Sequence, residues 1–559
     1  MQTRAGACPL GLGTAVVLGA ILVHPGIAGA DNLVANPSAE RVAAGGAPEG
    51  WGLYVGAGGM KLTAATEAKH SGERSACLEL TGWLAPKGSP GAAADGTAGG
   101  AIVLAPNNGY SAKGSLPCSP GTKYVFSFWY MGSVASASVG VTGWPSADSD
   151  HTQRITHPVT GGVMRPGPQW QRCTGSFRIQ EGVRRFALMI QTSGKQRDGF
   201  MLGKLYVDDA EVQSKSYPNG ELRAIWCSLP NAPRREEGLR EIRMTLDRVK
   251  AAGFNALMVW TTSQYLAASE RARLLQVEPL AAWDALGEMI RAAKERGLQV
   301  HAWYAPWTYK DIARAVELRD HPEWAAVDAK GVKDLSGICL VRPEVRQFEL
   351  DLIDRLVDRY PDLAGVHVEE PGYNWGADYC YCEYCHQVCG QWLGVDIRKD
   401  PEAAKPAVHN LAAFMCTDFF ARLRQRLTAN RPGVWLSANG SGGDNPDWYI
   451  GRDWTTWARR GYLDFYVPQL YTKRLDEFIE QGRRTASRLG DCDLVTGLAV
   501  SWSGIYPEVQ DPGTIKAEIA AARKMGARGF VIFHLDHCLD RHFQAVREAI
   551  EDQPARAKP

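Results

Sequence analysis

The sequence predicts a multidomain protein, with an N-terminal all-β jelly-roll sandwich followed by an α/β TIM barrel of (β/α)8 type. The chain has 559 residues, which is too long for a single hydrophobic core. Residues 31–213 have no helical period, whereas residues 221–552 alternate short apolar runs with helical patterns eight times. These three observations predict the two domains, with residues 214–220 as the linker.

The N-terminal half contains short β-branched and aromatic runs between turns of Gly, Pro, Ser and Asn. The clearest predicted strands are Lys123–Met131, Gln171–Ile179, Arg185–Gln191 and Lys204–Val212. Many short strands bounded by turn residues are typical of a sandwich, and the segment has the size of one jelly-roll domain. Cys118 and Cys173 are a candidate disulfide in this domain.

The C-terminal half repeats a helix, a glycine and an apolar run, as in AAGFNALMVW, ERGLQVHAWY, RRGYLDFYVP and MGARGFVIFH. A glycine at the end of a helical pattern is a helix-stop signal. The eight predicted barrel strands are 222–229, 256–260, 298–304, 365–368, 433–438, 465–470, 494–500 and 529–535. Eight such units in one domain are the number in a TIM barrel with insertions.

The two ends of the chain have patterns of their own. Arg4, the apolar run 10–23 and Ala28-Gly-Ala30 predict a signal peptide over residues 1–30, so we expect a secreted or periplasmic protein. Residues 553–559 are predicted to be a disordered tail. The 62 basic and 61 acidic residues give a net charge of +1, which argues against a nucleic-acid partner. We expect no membrane contact after the signal is cleaved.

Two adjacent carboxylates end the fourth predicted barrel strand, in the stretch Leu363-Ala-Gly-Val-His-Val-Glu-Glu-Pro371. Catalytic residues of a TIM barrel lie where its strands end, so Glu369 and Glu370 are catalytic candidates. Pairing with arginine or capping a helix is the structural alternative. A neighbouring like charge and burial both raise a carboxyl pKa, as a general acid requires. Pro371 favours Glu370 slightly, because it stiffens the loop behind that residue, whereas the alternation of strand residues equally allows Glu369 to point inward.

Seven short pieces of the predicted barrel stand in a characteristic order along the chain. They are Glu221-Leu-Arg-Ala-Ile-Trp226, Gly253-Phe-Asn-Ala256, Val300-His-Ala-Trp303, His321-Pro-Glu-Trp324, Pro343-Glu-Val-Arg346, Gly365-Val-His367 and Asp464-Phe-Tyr-Val-Pro-Gln-Leu-Tyr471. On these pieces the barrel resembles the glycosyl-hydrolase-like 10 family, the DUF187-type family 10-like glycosylhydrolases. The resemblance implies a TIM barrel that acts on glycosidic bonds. Where the family usually has His-x-Asp-Asp after the fourth strand, this chain has His367-Val-Glu-Glu370.

Glycoside cleavage usually needs a second carboxylate on the far side of the bond. Asp536 after the eighth strand is the first candidate, ahead of Asp444 and Glu508. For each of these three residues, the alternative is an ordinary role in solvating a loop or capping a helix. Aromatic and polar side chains at other strand ends are candidates for holding sugar: Trp303, Trp307, Asn439, Gln469, Tyr471 and His534. For Trp303, packing inside the barrel is an equal alternative.

The N-terminal segment contains a set of recognisable short pieces, which include Asn32-Leu-Val-Ala-Asn-Pro-Ser-Ala-Glu40, Pro48-Glu-Gly-Trp51, Ser71-Gly-Glu-Arg-Ser-Ala76 and Tyr206-Val-Asp-Asp209. On these pieces the segment resembles the family 4/9 carbohydrate-binding modules. The resemblance implies sugar binding and a structural calcium, for which Glu40 and Asp209 are the candidate ligands. Trp51, Tyr54, Trp83 and Trp144 are candidates for stacking on sugar or for the core.

Four cysteines crowd into Cys380-Tyr-Cys-Glu-Tyr-Cys-His-Gln-Val-Cys389. Cys380, Cys382, Cys385 and Cys389 have the close spacing of a zinc knuckle, and similar loops follow the fourth strand in family 42 β-galactosidases. We expect a structural zinc, with disulfides or a buried thiol cluster as alternatives, and no cofactor for catalysis.

The sequence therefore predicts an exported glycoside hydrolase with an attached sugar-binding module, acting on a polysaccharide or oligosaccharide. Two alternatives stay open. One is a non-catalytic carbohydrate-binding protein on a barrel scaffold, and the other is a family-42-like β-galactosidase.

Overall fold

The structure is a computed structural model. It describes residues 32–55, 60–80, 97–106, 111–134, 136–195, 203–230, 232, 234–261, 283–307, 318, 321–374, 378–444, 447–501 and 509–552. The predicted signal peptide, the tail, Trp83 and Glu508 lie outside the described residues.

The N-terminal region consists of two antiparallel sheets. A seven-stranded sheet has the order β1-β4-β12-β7-β10, with β5 on β12 and β8 on β7, and a six-stranded sheet has the order β2-β3-β13-β6-β11-β9. The strands are β1 Gly52–Val55, β2 Met60–Ala65, β3 Ser75–Leu80, β4 Thr97–Val103, β5 Leu116–Pro117, β6 Lys123–Gly132, β7 Ser136–Trp144, β8 Ile155–His157, β9 Val159–Gly161, β10 Val163–Met164, β11 Gln171–Arg178, β12 Arg185–Lys195 and β13 Gly203–Lys215.

One hydrophobic core lies between these sheets. Phe126 and Phe128 of β6 contribute to it from one side, and Leu188 and Ile190 of β12 from the other. The sheet-rich N-terminal region is confirmed, and its jelly-roll connectivity stays a prediction. Cys118 and Cys173 are both free cysteines, so the candidate disulfide is wrong.

The C-terminal region alternates strands and helices, after a short 3-10 turn at Pro218–Gly220. Its strands are β14 Leu222–Cys227, β15 Ala256–Trp260, β16 Gln299–Tyr304, β17 Ala325–Val327, β18 Lys333–Ile338, β19 Gly365–Val368, β20 Trp435–Gly440, β21 Phe465–Pro468, β22 Asp493–Leu494, β23 Thr496–Ala499 and β24 Gly529–Phe533. Its described helices are α1 Arg235–Ala251, α2 Ala285–Glu295, α3 Pro343–Arg359, α4 Glu383–Leu393, α5 Pro401–Asn430, α6 Trp454–Arg459, α7 Leu475–Arg488, α8 Pro512–Lys524 and α9 Asp540–Glu551. None of the described helices is long and apolar enough to cross a membrane.

Nine of these strands form a parallel sheet in the order β22-β21-β20-β19-β16-β15-β14-β24-β23. Its two end strands, β22 and β23, belong to one stretch of chain that is divided at Val495. A parallel bridge between Gln469 and Gly497 joins the ends further. The sheet is therefore a near-closed barrel, consistent with a TIM barrel, and the eight predicted strands are confirmed with the seventh divided in two.

The turns between helices and strands follow the predicted pattern. Gly253 follows the C-cap residue of α1 with φ of 87°, and Gly526 follows the C-cap residue of α8 with φ of 83°. Only glycine adopts such angles without strain, which is why it ends helices so often. Each following strand is thereby turned back into the barrel, with its carboxyl end at the common rim.

A buried ion cluster joins the N-terminal sheets to the barrel. The Asp464 carboxylate, at the start of β21, is fully buried and contacts Lys123, Lys215 and Arg424. The Lys215 Nζ to Asp464 Oδ2 distance is 2.8 Å, and the Leu436 backbone N–H also donates to Oδ2 at 2.8 Å. Burial alone would raise the pKa of Asp464, but the three cations hold it well below its usual range.

We expect Asp464→Asn to destabilise the protein by about 3–5 kcal/mol, because it removes the anion that compensates buried cations. Urea denaturation followed by tryptophan fluorescence measures the change. The matched control is Asp444→Asn, since Asp444 pairs with Arg484 and Arg488 on the surface and is half exposed. An exposed pair contributes about 0–1 kcal/mol. Equal losses in the two variants would contradict a stabilising role for the buried cluster.

Candidate active site

Glu369 lies at the carboxyl end of β19, where the barrel strands share one rim. Its backbone N–H donates to the carbonyl of Tyr304 at 2.8 Å, which extends the pairing of β19 with β16 by one residue. Its side chain is 7% exposed. The indole Nε1–H of Trp303 and the amide Nδ2–H of Asn439 both donate to Glu369 Oε2, the latter at 2.6 Å.

The two donors hold one oxygen of Glu369 and leave the other available. Among the described residues no donor reaches Oε1. Burial and the adjacent charge of Glu370 raise the pKa of Glu369 to about 8, although the two hydrogen bonds act in the opposite direction. At neutral pH this carboxyl is therefore mostly protonated, with Oε1 free to carry the proton.

Glu370 begins a tight turn directly after Glu369, with φ of 31°. Its backbone N–H donates to Asn439 Oδ1 at 2.7 Å, so one amide side chain contacts both glutamates. Two residues later, Gly372 has φ of 122°, and a Cβ there would lie 2.4 Å from the carbonyl oxygen of Ile450. The loop after β19 can therefore pack against residues 450–452 only with glycine at this position.

Arg452 is the main contact of this loop, and sequence reasoning missed it. Its guanidinium donates to the carbonyls of Glu370 and Pro371, both at 3.1 Å. Its Nη2 lies 3.7 Å from Glu370 Oε2, and its Nη1 lies 3.7 Å from Asp447 Oδ2. Arg452 is only 1% exposed, so its charge acts on both carboxylates from a buried position.

Asp447 was also missed, although it lies only three residues after the named candidate Asp444. It is 6% exposed and accepts a hydrogen bond from the Ser441 hydroxyl. Burial raises its pKa, which the Ser441 and Arg452 contacts oppose. Asp444 instead forms surface ion pairs with α7, which fits the alternative of an ordinary loop residue. A long-range contact such as Asp447 with Arg452 leaves no periodic signal in the sequence.

The two tryptophans at the end of the third barrel strand, Trp303 within β16 and Trp307 after it, differ in their contacts. Trp303 packs inside the barrel against Trp226 and Trp260, with ring centroids at 6.2 and 4.5 Å, and directs its N–H to Glu369. Trp307 is fully buried, stacks edge-on against Phe419 and donates to the Gly372 carbonyl at 3.0 Å. This burial fits packing in the core, and Trp307 as a substrate contact stays a prediction.

Tyr471 and Gln469 follow the sixth barrel strand, and both are partly buried. Burial and the charges of Glu369 and Glu370 raise the pKa of Tyr471 well above its usual range, which places the phenol near both glutamates. The backbone of Gln469 donates to the Gly440 carbonyl at 2.8 Å. Both stay predicted substrate contacts.

His534 and Asp536 follow the eighth strand. The Asp536 backbone N–H donates to His534 Nδ1 at 3.3 Å, so the neutral ring carries its proton on Nε2. Burial lowers the pKa of His534 to about 4, against the effect of Asp536. The His534 ring lies 6.1 Å from the Trp303 ring, while the Asp536 side chain is 69% exposed.

The cysteine cluster has a different fourth member from the one predicted. The sulfurs of Cys380, Cys382 and Cys385 group with that of Cys339, all four within 4.8 Å of one another, and Cys389 is not part of the group. Cys389 lies one helical turn beyond Cys385 in α4, which directs its side chain into the core. Cys339 follows β18, 41 positions before Cys380, so local spacing could not reveal it.

The candidate calcium ligands already have partners within the protein. Glu40 Oε1 accepts from the backbone N–H groups of Glu73 and Arg74. Asp209 accepts from the hydroxyls of Ser38 and Ser71 and contacts His70. A calcium site there stays a prediction. Trp51 and Trp144 are buried, which fits the core alternative for both.

Comparison with known families decides the classification of the barrel. The profile described as glycosyl hydrolase-like 10 matches residues 221–502, about half of the chain. The chain belongs to the glycosyl hydrolase-like 10 family. No curated protein matches the chain.

Solved structures similar to this glycosyl hydrolase-like 10 chain include three enzymes. α-L-fucosidase isoenzyme 2 from Paenibacillus thiaminolyticus has 15% identity and a TM-score of 0.44, covering 59% of this chain and 49% of that one. The β-galactosidase from Rahnella sp. R3 has 16% identity and a TM-score of 0.45, covering 60% and 56%. The xylanase 10B modules of Clostridium thermocellum have 11% identity and a TM-score of 0.34, covering 93% and 97%. The chain spans about half of the length of the fucosidase.

We expect Glu369→Gln to change how stability depends on pH. A buried carboxyl whose pKa is raised in the folded state stabilises the fold below its unfolded pKa near 4.5, and this contribution is lost as the pH rises towards 8. Wild-type unfolding free energy should therefore fall by up to roughly 1.4 kcal/mol per pH unit from this group. The variant lacks this loss, so it should gain stability relative to wild type between pH 5 and 8.

Thermal unfolding at several pH values measures this difference. Glu518→Gln is the matched comparison, because Glu518 of α8 is also buried and burial raises its pKa to about 8. Both variants should show the same sign. A stability difference between Glu369→Gln and wild type that stays constant from pH 5 to 8 would contradict the raised pKa.

Proposed function

We propose that this protein hydrolyses glycosidic bonds and that Glu369 is its general acid. The observation that carries the proposal is the asymmetry of the Glu369 carboxyl. Its Oε2 receives the Trp303 and Asn439 hydrogen bonds, and its Oε1 is available at the rim of the barrel. A pKa of about 8 keeps a proton there at neutral pH. Membership of the glycosyl hydrolase-like 10 family supports the choice of bond.

The surroundings of Glu369 suit both halves of a proton transfer. Before the transfer, burial and Glu370 favour the neutral acid. The proton on Oε1 passes to the oxygen of the leaving sugar as the glycosidic bond breaks. The resulting carboxylate then has two preorganised donors on Oε2, which stabilise the new negative charge. Trp303 and Asn439 are accordingly positioning residues in this mechanism.

The second carboxylate must flank the bond from the other side and must be accessible. Asp447 is closed off by Ser441 and Arg452, so we assign it the role of orienting Arg452. Asp536 is exposed and follows β24, which lies four strands from β19 in the barrel order. In a barrel of eight strands, two strands that are four positions apart lie on opposite sides of the barrel opening. We assign Asp536 as the base or nucleophile, with Glu370 as the alternative.

Sugar recognition would come from groups around this acid. The Tyr471 ring and the Nε2–H of His534 combine an apolar face with polar atoms, as sugar sites require. The seven-stranded sheet also has a groove of about 440 Å³, lined by Tyr54, Arg154 and Gln191 among others. We propose that this sheet region is a sugar-binding module. An exported protein of this kind would act on a polysaccharide or on oligosaccharides.

We expect Glu369→Gln to lower turnover on the order of a hundredfold or more, as for a lost general acid, while sugar binding is retained. Asp536→Asn should lower it comparably, and Glu370→Gln should lower it less. Release of reducing ends from a panel of polysaccharides and oligosaccharides measures the rates. Glu518→Gln is the matched control with near wild-type rates, because it replaces a buried carboxyl of similar pKa in α8.

The rates of the three variants distinguish the possible roles of Glu369, Asp536 and Glu370. Wild-type rates in Glu369→Gln would place the acid elsewhere and overturn the proposal. Loss of activity in Glu370→Gln but not in Asp536→Asn would leave the acid in place and move the second role to Glu370. Binding of sugars by calorimetry without any cleavage by wild type would instead identify a non-catalytic carbohydrate-binding protein.

A further inference from the structure

The four sulfurs of Cys339, Cys380, Cys382 and Cys385 have the spacing of a metal tetrahedron. The Sγ–Sγ distances are 3.5 Å between Cys339 and Cys385, 3.6 Å between Cys382 and Cys385, and 3.8 Å between Cys339 and Cys382. Zinc binds thiolates at about 2.3 Å in tetrahedral geometry, which separates the sulfurs by about 3.8 Å. A disulfide needs about 2.05 Å, and every described cysteine is free.

The backbone around these cysteines is arranged to support thiolates. Cys382 is the N-cap of α4 and Cys385 lies in its first turn, where the helix dipole favours negative charge. The backbone N–H of Val327 donates to Cys380 Sγ at 3.4 Å, and the hydroxyl of Tyr373 donates to Cys339 Sγ at 3.8 Å. Such second-sphere donors orient metal ligands and disperse their charge.

A positively charged side chain, that of Arg342, lies near the four cysteines. A zinc ion with four thiolates carries a net charge of −2, which is costly to bury without compensation. The Arg342 guanidinium interacts electrostatically with Cys339 and Cys382, and its own backbone N–H donates to the Cys339 carbonyl at 3.2 Å. All four cysteines are at most 5% exposed. Four buried thiolates with a cation beside them match a closed structural site rather than a catalytic one.

The ligands come from two segments that lie far apart in the sequence, at residue 339 and at residues 380–385. Cys339 follows the β17–β18 hairpin, and Tyr381 beside Cys380 and Cys382 donates its N–H to Val327 of that hairpin at 2.8 Å. Tyr373 links the cluster to the loop that begins with Glu369 and Glu370, and its own N–H donates to the Ile450 carbonyl at 2.7 Å. One ion would therefore fix the hairpin, α4 and the glutamate loop relative to one another.

We propose that Cys339, Cys380, Cys382 and Cys385 bind one structural zinc ion that anchors the loop after β19 to the β17–β18 hairpin. Binding replaces the four thiol protons, which leave to solvent, with four zinc–sulfur bonds. Cys389 has no part in the site. The site stands independently of any hydrolytic activity, because its ligands and their geometry are defined without a substrate.

The test is the metal content of the full-length chain, expressed in zinc-supplemented medium and purified without chelator. Elemental analysis should give about one zinc per chain in wild type, and Cys339→Ser should lose most of it. Cys389→Ser is the matched control, since it replaces a buried cysteine of α4, the helix that also carries Cys385, and should keep the zinc. Cobalt substitution should give thiolate-to-cobalt charge-transfer absorption in wild type and in Cys389→Ser only.

The metal content of the wild-type protein tests the zinc site even if Cys339→Ser fails to fold. Wild-type protein without zinc, or with iron in its place, would overturn the proposal, as would mass spectrometry showing these cysteines in disulfides. Loss of zinc in Cys389→Ser together with retention in Cys339→Ser would overturn the ligand set. With zinc removed, amide exchange at residues 369–374 should rise several-fold, and unchanged exchange there would contradict the anchoring role.

Discussion

The candidate site depends on one buried amide, that of Asn439 at the end of β20. Its Nδ2–H donates to Glu369 Oε2 at 2.6 Å, and its Oδ1 accepts from the Glu370 N–H at 2.7 Å. The first bond fixes the carboxyl of one glutamate, and the second fixes the backbone turn of the next. Asn439 is 1% exposed, so water does not compete for either bond. A carboxylate or a methyl group in its place would satisfy at most one of the two contacts.

From that amide the rest of the site follows in order along the chain. The turn at Glu370 leads the backbone to Arg452, which binds two successive carbonyls. The loop then passes Ile450 at Gly372 and reaches Tyr373, which contacts the cysteine cluster. Burial raises the pKa of Glu369, and the hydrogen bonds from Trp303 and Asn439 lower it. With the resulting pKa of about 8, the protonated and ionised carboxyl are similarly populated near that pH. A residue that must give up and regain a proton needs such a balance.

The sequence alone predicted those features of the fold and of the candidate site that are periodic or local. Parallel barrel strands are continuous apolar runs covered on both faces, so all eight were recognisable, as was the position of Glu369 and Glu370 at a strand end. The burial of Trp307 was not predictable, because an aromatic residue after a strand has the same local pattern whether it faces a cleft or the core. Cys339, Asp447 and Arg452 were missed because their contacts join segments that are distant or irregular in sequence. The sequence could not decide between Glu369 and Glu370 for a related reason, since only the fold reveals which carboxyl is buried.

The central claim is that Glu369 holds a proton at neutral pH. Infrared difference spectroscopy of wild type against Glu369→Gln, recorded as a pH titration, measures this directly. The account predicts a protonated carboxyl stretch at pH 7 that is absent from the variant and disappears in wild type with a midpoint near 8. A Glu369 that is already fully ionised at pH 6 would contradict the account, because a carboxylate without a proton cannot serve as the acid.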